Sequence, residues 1–122
     1  MELNKEFALL TKKTNPSAEI YNDCASKLPH YLKINGKERC ETIISSLPWS
    51  SFDEELQDKL INTIFKSLDT NGRFVTYAYV GAHFLPNGQR MRKKLSTLFT
   101  NTTTSKIIWR NFPPAFVYIC DK

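Results

Sequence analysis

A chain of 122 residues with a net charge of +5 and an apolar fraction of 41% is the size of one globular domain and apolar enough to bury a core. No stretch approaches the ~20 apolar residues that cross a bilayer, and the polar start, Met1 to Lys5, reads as carrying no secretory signal. Cys24, Cys40 and Cys120 form no C-x-x-C pair and no metal spacing with His30 or His83, so they read as buried or half-buried thiols in a reducing cytoplasm, with no metal.

In chain order, Met1 to Asn4 reads as the end of a strand, with Asn4 able to cap a helix over Glu6 to Lys13. Lys12 and Lys13 stand at the negative end of that helix. Asn15-Pro16-Ser17 is a turn, Ala18 to Asn22 reads as a strand, and Ser26 to Leu32 as a short helix limited by Pro29. The β-branched run Thr42 to Ile44 reads as a buried strand that opens through Ser45-Ser46 into Leu47-Pro48-Trp49.

Ser51-Phe52-Asp53-Glu54 has the pattern of a capping box. Beyond it Leu56, Leu60, Ile61, Ile64, Phe65 and Leu68 recur at helical spacing. Asp69-Thr70-Asn71-Gly72 ends that helix, and Arg73 to Val80 reads as a strand. Strand, helix, strand without a hairpin turn predicts a right-handed crossover between parallel strands. Gly81 to Gly88 reads as a loop and Gln89 to Phe99 as a basic helix with Met91, Leu95, Leu98 and Phe99 on its apolar side. Asn101 to Ser105 reads as a polar loop. Lys106 to Arg110 and Ala115 to Cys120 read as strands separated by Asn111-Phe112-Pro113-Pro114 and paired antiparallel. The alternation predicts an α/β fold with a mostly parallel sheet covered on both faces. The glycine-rich strand-to-helix turn of doubly wound nucleotide-binding domains is missing, because Gly36, Gly72, Gly81 and Gly88 are isolated.

Three segments carry a family resemblance: Leu47-Pro48-Trp49; Gly72 to Tyr77 with Tyr79; and Arg110-Asn111-Phe112-Pro113-Pro114-Ala115-Phe116-Val117-Tyr118. Together they resemble the phospholipid N-methyltransferases, class I S-adenosylmethionine-dependent enzymes related more distantly to rRNA adenine dimethylases. The closing Asn-Phe-Pro-Pro-Ala-Phe-Val-Tyr segment is the most specific. The resemblance implies a single partial methyltransferase domain over residues 1–122. Its Rossmann-like sheet would lack the first strand and glycine-rich loop and would end in an antiparallel hairpin. Such a polypeptide is expected to bind S-adenosylmethionine weakly by itself and to be inactive alone.

Residue by residue, the resemblance places Glu2 at the cofactor ribose and Asp23 with Cys24 at the adenine. As a bare sequence feature Glu2 is also a helix-flanking acid, and Asp23 a plain helix N-cap. Ser46, Leu47, Pro48 and Trp49 correspond to the acceptor loop, where the methyl group meets the attacking nitrogen and an aromatic ring faces the developing cation. Leu47-Pro48-Trp49 reads equally as a structural turn that packs a tryptophan on the helix. Ser46 stands where nucleic-acid methylases carry Asn or Asp, which favours an amine acceptor over adenine. A neutral amine displacing a sulfonium methyl needs positioning and tolerance of positive charge, with no dedicated base. Tyr79 and His83 could line the acceptor pocket, although a lone histidine near a loop is more often structural.

The resemblance therefore implies methyl transfer from S-adenosylmethionine to the amine of phosphatidylethanolamine. The partner would be a phospholipid at a membrane surface and not a stable nucleic acid, and the location cytoplasmic or peripheral at the inner membrane face. An rRNA adenine dimethylase-like activity and a non-catalytic remnant are the alternatives. The cluster Arg90-Met91-Arg92-Lys93-Lys94 suits anionic headgroups and is equally common on a solvated helix face.

Overall fold

The computed structural model describes residues 1–122, which divide into two compact units, Met1–Glu38 and Arg39–Lys122. In the first unit, helix α1 (Lys5–Thr14) starts as expected: Asn4 Oδ1 accepts from the backbone N–H groups of Glu6 and Phe7 at 2.9 and 3.1 Å. This satisfies two of the donors that a helix N-terminus leaves unpaired. A single turn of 3-10 helix, Ala25–Lys27, leads into α2 (Leu28–Ile34), which carries Pro29 in its first turn.

The strands expected at Met1 to Asn4 and Ala18 to Asn22 are not strands. They lie together as extended segments, joined by one backbone bond from Glu2 N–H to Tyr21 C=O (3.0 Å). The Asn22 side-chain amide also donates to the carbonyls of Glu2 and Leu3, both at 2.9 Å. With a single backbone bond between the two segments, no repeating ladder forms.

The second unit holds a four-stranded sheet in the order β1-β2-β4-β3, formed by β1 (Cys40–Ser45), β2 (Leu68–Tyr79), β3 (Asn101–Thr104) and β4 (Ala115–Asp121). The strands β1 and β2 are parallel and joined through helix α3 (Glu54–Ser67), and β4 pairs antiparallel with both β2 and β3. The sheet is thus mixed: the expected crossover and a terminal hairpin are present, but β1–β2 is the one parallel pair among three, so the mostly parallel sheet expected from the alternation is not found. The strand read as buried, β1, is an edge: β2 is its sole neighbour, and Ile44 is 79% exposed. Helix α3 begins two residues later than the capping-box pattern suggests. Asp53 is its cap, accepting from Leu56 N–H at 2.8 Å, because Ser51 is already held in a 3-10 turn over Trp49–Ser51.

Asp69 to Gly72, read as a turn, is an excursion within β2. The register passes from Cys40 opposite Leu68 to Thr42 opposite Arg73, so four residues stand against Glu41 alone. Asn71 adopts a φ of 65° there. A Cβ on Gly72 would lie 2.9 Å from the Asp69 carbonyl oxygen and 3.2 Å from that of Glu41, so only glycine fits.

The terminal hairpin exists, but its first strand is Asn101–Thr104 and not Lys106 to Arg110. Ser105 N–H donates to Val117 C=O (2.9 Å) and Ile108 N–H to Ala115 C=O (2.7 Å). Lys106 and Ile107 therefore face Phe116 alone, as in a β-bulge. Beyond Ile108 the ladder cannot continue, because Pro113 and Pro114 carry no N–H.

The core lies on one sheet face. Phe74 and Thr76 of β2 line up with Cys120 and Tyr118 of β4. Against them pack Leu60, Ile61 and Ile64 of α3, and Met91 and Leu95 of α4 (Pro86–Leu98), all buried. Phe99 stacks on Phe74 (6.0 Å, 19°) and meets Phe65 edge-on (5.4 Å). The helix α4 starts at Pro86, where the missing N–H costs nothing, so the loop before it is shorter than expected. No helix is long and apolar enough to cross a membrane.

Across the β2–β4 pair, Arg73 Nε donates to Asp121 Oδ1 at 2.7 Å. That hydrogen bond holds the Asp121 carboxyl below its ordinary value of 3.8. A depressed carboxylate contributes stability that is complete above its unfolded value and disappears as pH falls through the folded one. Thermal unfolding between about pH 5 and pH 2 should therefore show wild type losing more stability than Asp121→Asn; parallel losses would contradict this.

Candidate functional site

At the carboxyl end of β1 the chain turns sharply. Pro48 adopts φ −80° and ψ 69°, and Trp49 N–H donates to Leu47 C=O at 2.9 Å, which is an inverse γ-turn. The turn drives the Trp49 indole into the core, where it is 5% exposed and meets Phe52 and Phe74 edge-on at 5.9 and 6.2 Å. Its Nε1–H donates to Thr76 Oγ1 (2.9 Å), and the Thr76 hydroxyl donates to Ser45 C=O (3.0 Å). The pair of bonds satisfies every polar atom that burying the indole and hydroxyl would otherwise orphan.

Gln57, fully buried on α3, fixes the same loop from behind. Its amide donates to Trp49 C=O at 2.7 Å and to Asn87 C=O at 3.1 Å. One side chain thus joins the turn after β1 to the first turn of α4. Gly88 permits a second close approach, since a Cβ there would run into the Ala82 carbonyl oxygen and lie 2.9 Å from His83 Cα. Gly88→Ala should push the 81–84 segment away at a cost of about 1–3 kcal/mol, read as a lower melting temperature together with greater exposure of His83. An unchanged melting temperature would show that this contact is slack.

These elements enclose a cavity of about 130 Å³ beyond the carboxyl ends of β1 and β2, where open α/β sheets place their ligands. Its wall includes Pro48, Trp49, Tyr77, Tyr79, Met91 and Tyr118, with His83 and Thr76. No Asp, Glu, Lys or Arg lines it. The Tyr77 hydroxyl, hydrogen-bonded to Tyr79 and partly buried, is pushed above its ordinary value, and burial does the same to Tyr118. Both phenols are therefore neutral near pH 7 and offer O–H groups and ring faces. His83 Nδ1 is buried without a hydrogen-bond partner, while its ring packs on Phe84 and Phe116 at 4.0 and 5.3 Å.

Of the acceptor-loop residues, Leu47, Pro48 and Trp49 line this cavity with Tyr79 and His83, whereas Ser46 is exposed and lies outside the lining. Trp49 packs its indole as core, as the structural reading has it, and the residue also borders the cavity. Sequence reading missed Gln57, Thr76, Tyr118 and Met91. The first two are polar residues inside apolar patterns, which is the available signal for a buried hydrogen-bonding role.

Glu2, Asp23 and Cys24 belong to the first unit. There the Asn22 bonds to the Glu2 and Leu3 carbonyls bring the Glu2 segment beside the one leading into Asp23. Glu2 Oε1 accepts from Asn4 N–H at 2.8 Å, and no protein group engages its second oxygen. Both Asp23 oxygens are taken, Oδ1 by Cys24 N–H (2.7 Å) and Oδ2 by Tyr31 (2.9 Å) and Lys27 (3.1 Å). These partners lower the Asp23 pKa, with the Cys24 N–H bond foremost. As placed, Asp23 is not the N-cap that the bare sequence offers: the turn Ala25–Lys27 is capped at Cys24 without a side-chain bond, and the Cys24 N–H is spent on Asp23. No group of three or more His, Cys, Asp or Glu side chains assembles to hold a metal.

No family model matches the chain, and no curated protein matches it. Solved structures do. A candidate rRNA methylase from Clostridium thermocellum superposes with a TM-score of 0.68 at 14% identity, over 98% of this chain and 69% of its own. An rRNA methylase from Streptococcus thermophilus gives 0.69 at 14%, over 99% and 70%. A candidate methyltransferase from Streptococcus mutans, solved in complex with SAH, gives 0.62 at 17%, over 99% and 73%. With its parallel crossover, its antiparallel terminal hairpin and these likenesses, the chain has the fold of class I methyltransferases.

Proposed function

We propose that this chain is the acceptor-binding part of an S-adenosylmethionine-dependent N-methyltransferase, and that the acceptor is the primary amine of an aminophospholipid such as phosphatidylethanolamine. The observation that carries this reading is the uncharged, aromatic wall of the cavity beyond β1 and β2. An amine gains positive charge as it is methylated. Ring faces of Trp and Tyr stabilise such a cation by about 0.5–2 kcal/mol each, and neutral hydroxyls can orient the nitrogen without trapping it as a salt. The fold of the neighbours, one of them solved with SAH, supports the same cofactor class. When bound, S-adenosylmethionine supplies an electrophilic methyl group. This chain's own residues hold the acceptor against Trp49, Tyr77 and Tyr118 and keep water out.

A second reading, methylation of rRNA, is favoured by the names of two neighbours. Calorimetric titration of the chain with short-chain phosphatidylethanolamine and with an adenine-containing oligoribonucleotide separates the two. Saturable binding of the lipid, lost in Tyr118→Ala and weak or absent for the RNA, is the expected result. Binding of the RNA alone would replace the lipid reading with the second.

A further inference from the structure

We propose that the rim formed by the bulged segment 106–112 and the turn Phe84-Leu85 docks on an anionic bilayer surface, with Trp109 and Phe112 entering the interface. Phe112 is 98% exposed, Trp109 71%, Phe84 69%, Leu85 53% and Ile108 51%. Exposure of this many large apolar side chains in neighbouring loops marks an interaction surface. The two segments meet at one end of the sheet. Ile108 pairs with Ala115 and lines a depression with Tyr77 and Tyr79, while Phe84 packs on His83, which packs on Phe116. The rim therefore borders the cavity described above.

Charge decides what covers it. Between Asp69 and Asp121 there is no Asp or Glu, but there are seven lysines and arginines. Lys106 and Arg110 flank the exposed apolar run, and Arg92 and Lys93 share a shallow depression with Phe84. The other two cations of α4 are already matched, Arg90 by Glu54 (3.6 Å) and Lys94 by Asp58. With Arg73 held by Asp121, the four of those seven that have no carboxylate partner, Arg92, Lys93, Lys106 and Arg110, stand beside the apolar rim. Trp and Phe with flanking Lys and Arg is the composition that seats in a headgroup layer. A second copy of this chain would bring like charges face to face across a two-fold contact. Single-stranded RNA would stack on Trp109 and Phe112 but would gain little from Leu85, Ile107 and Ile108. The inference rests on the lipid-amine reading for its purpose, since a rim docked on a bilayer presents the cavity to a headgroup.

The test is sedimentation of the chain with vesicles of phosphatidylcholine, alone or containing phosphatidylglycerol, combined with tryptophan fluorescence. Trp49 is buried and Trp109 exposed, so Trp109 reports. Binding to the phosphatidylglycerol vesicles with a blue shift of Trp109 is expected. Lys106→Gln and Arg110→Gln should each weaken it about fivefold, and Phe112→Ser with Trp109→Ser should abolish it while the circular dichroism spectrum is unchanged. No binding, equal binding to phosphatidylcholine alone, protection of Trp109 by self-association, or its protection by an oligoribonucleotide and not by vesicles would each overturn the proposal. Docking without binding of short-chain phosphatidylethanolamine would remove the acceptor reading and leave this inference standing; the reverse outcome would do the opposite.

Discussion

Trp49→Ala is expected to destabilise the Arg39–Lys122 unit by about 3–5 kcal/mol, the usual cost of truncating a buried aromatic ring. The indole is 5% exposed and touches Phe52 and Phe74, so its removal opens space that the rigid sheet beneath cannot close. Thr76 Oγ1 would also lose the indole N–H that it accepts. Trp49→Phe should keep most of the packing and lose chiefly that hydrogen bond, at about 1–2 kcal/mol. Chemical denaturation followed through circular dichroism reads both variants. Equal, small effects would mean that the indole is dispensable to the fold and that its burial has another reason.

Gln57→Leu should cost about 1–3 kcal/mol although it conserves volume: the Trp49 and Asn87 carbonyls would each lose a buried donor, while removal of the unpartnered Gln57 Oε1 offsets part of that loss. The shape of the effect matters more than its size. Gln57 joins the turn after β1 to the start of α4, so the variant should loosen both edges of the cavity together. Hydrogen exchange should quicken at Trp49–Ser51 and in the first turn of α4 while the β2–β4 ladder stays protected. Uniform acceleration across the unit would indicate simple loss of stability without a positioning role for this residue.

Much of the second unit was legible because its sequence patterns serve burial. The stripe Leu60, Ile61, Ile64 in α3 and Met91, Leu95, Phe99 at α4 became core as spaced. The alternation in β2 and β4 likewise sent Phe74, Thr76, Tyr118 and Cys120 to one face. Cys120 is buried, as read, and burial pushes its thiol up to about 11.

Where apolarity and burial part company, the sequence misled. Lys106 to Arg110 has the composition of a strand and stays on the surface, whereas Asn101–Thr104 is polar and forms the edge of the sheet. An edge strand is bound by its backbone ladder and one half-covered face, so threonine suffices there. Ile44 misled in the same way, as an apolar residue on an exposed edge. The site was half legible. Pro48 and Trp49 announced a turn, and the strand-end rule placed it. Gln57 and Thr76 were hidden because nothing local tells a buried amide or hydroxyl from a solvated one.

On the proposed reading, the cavity beyond β1 and β2 receives an amine against aromatic walls. The protein has two tryptophans, one in that wall and one on the outer rim, so its NMR spectrum carries two indole N–H signals. Titration with monomeric short-chain phosphatidylethanolamine should shift the Trp49 indole signal saturably and leave that of Trp109 in place. Movement of the Trp109 signal alone, or of neither, would contradict the account.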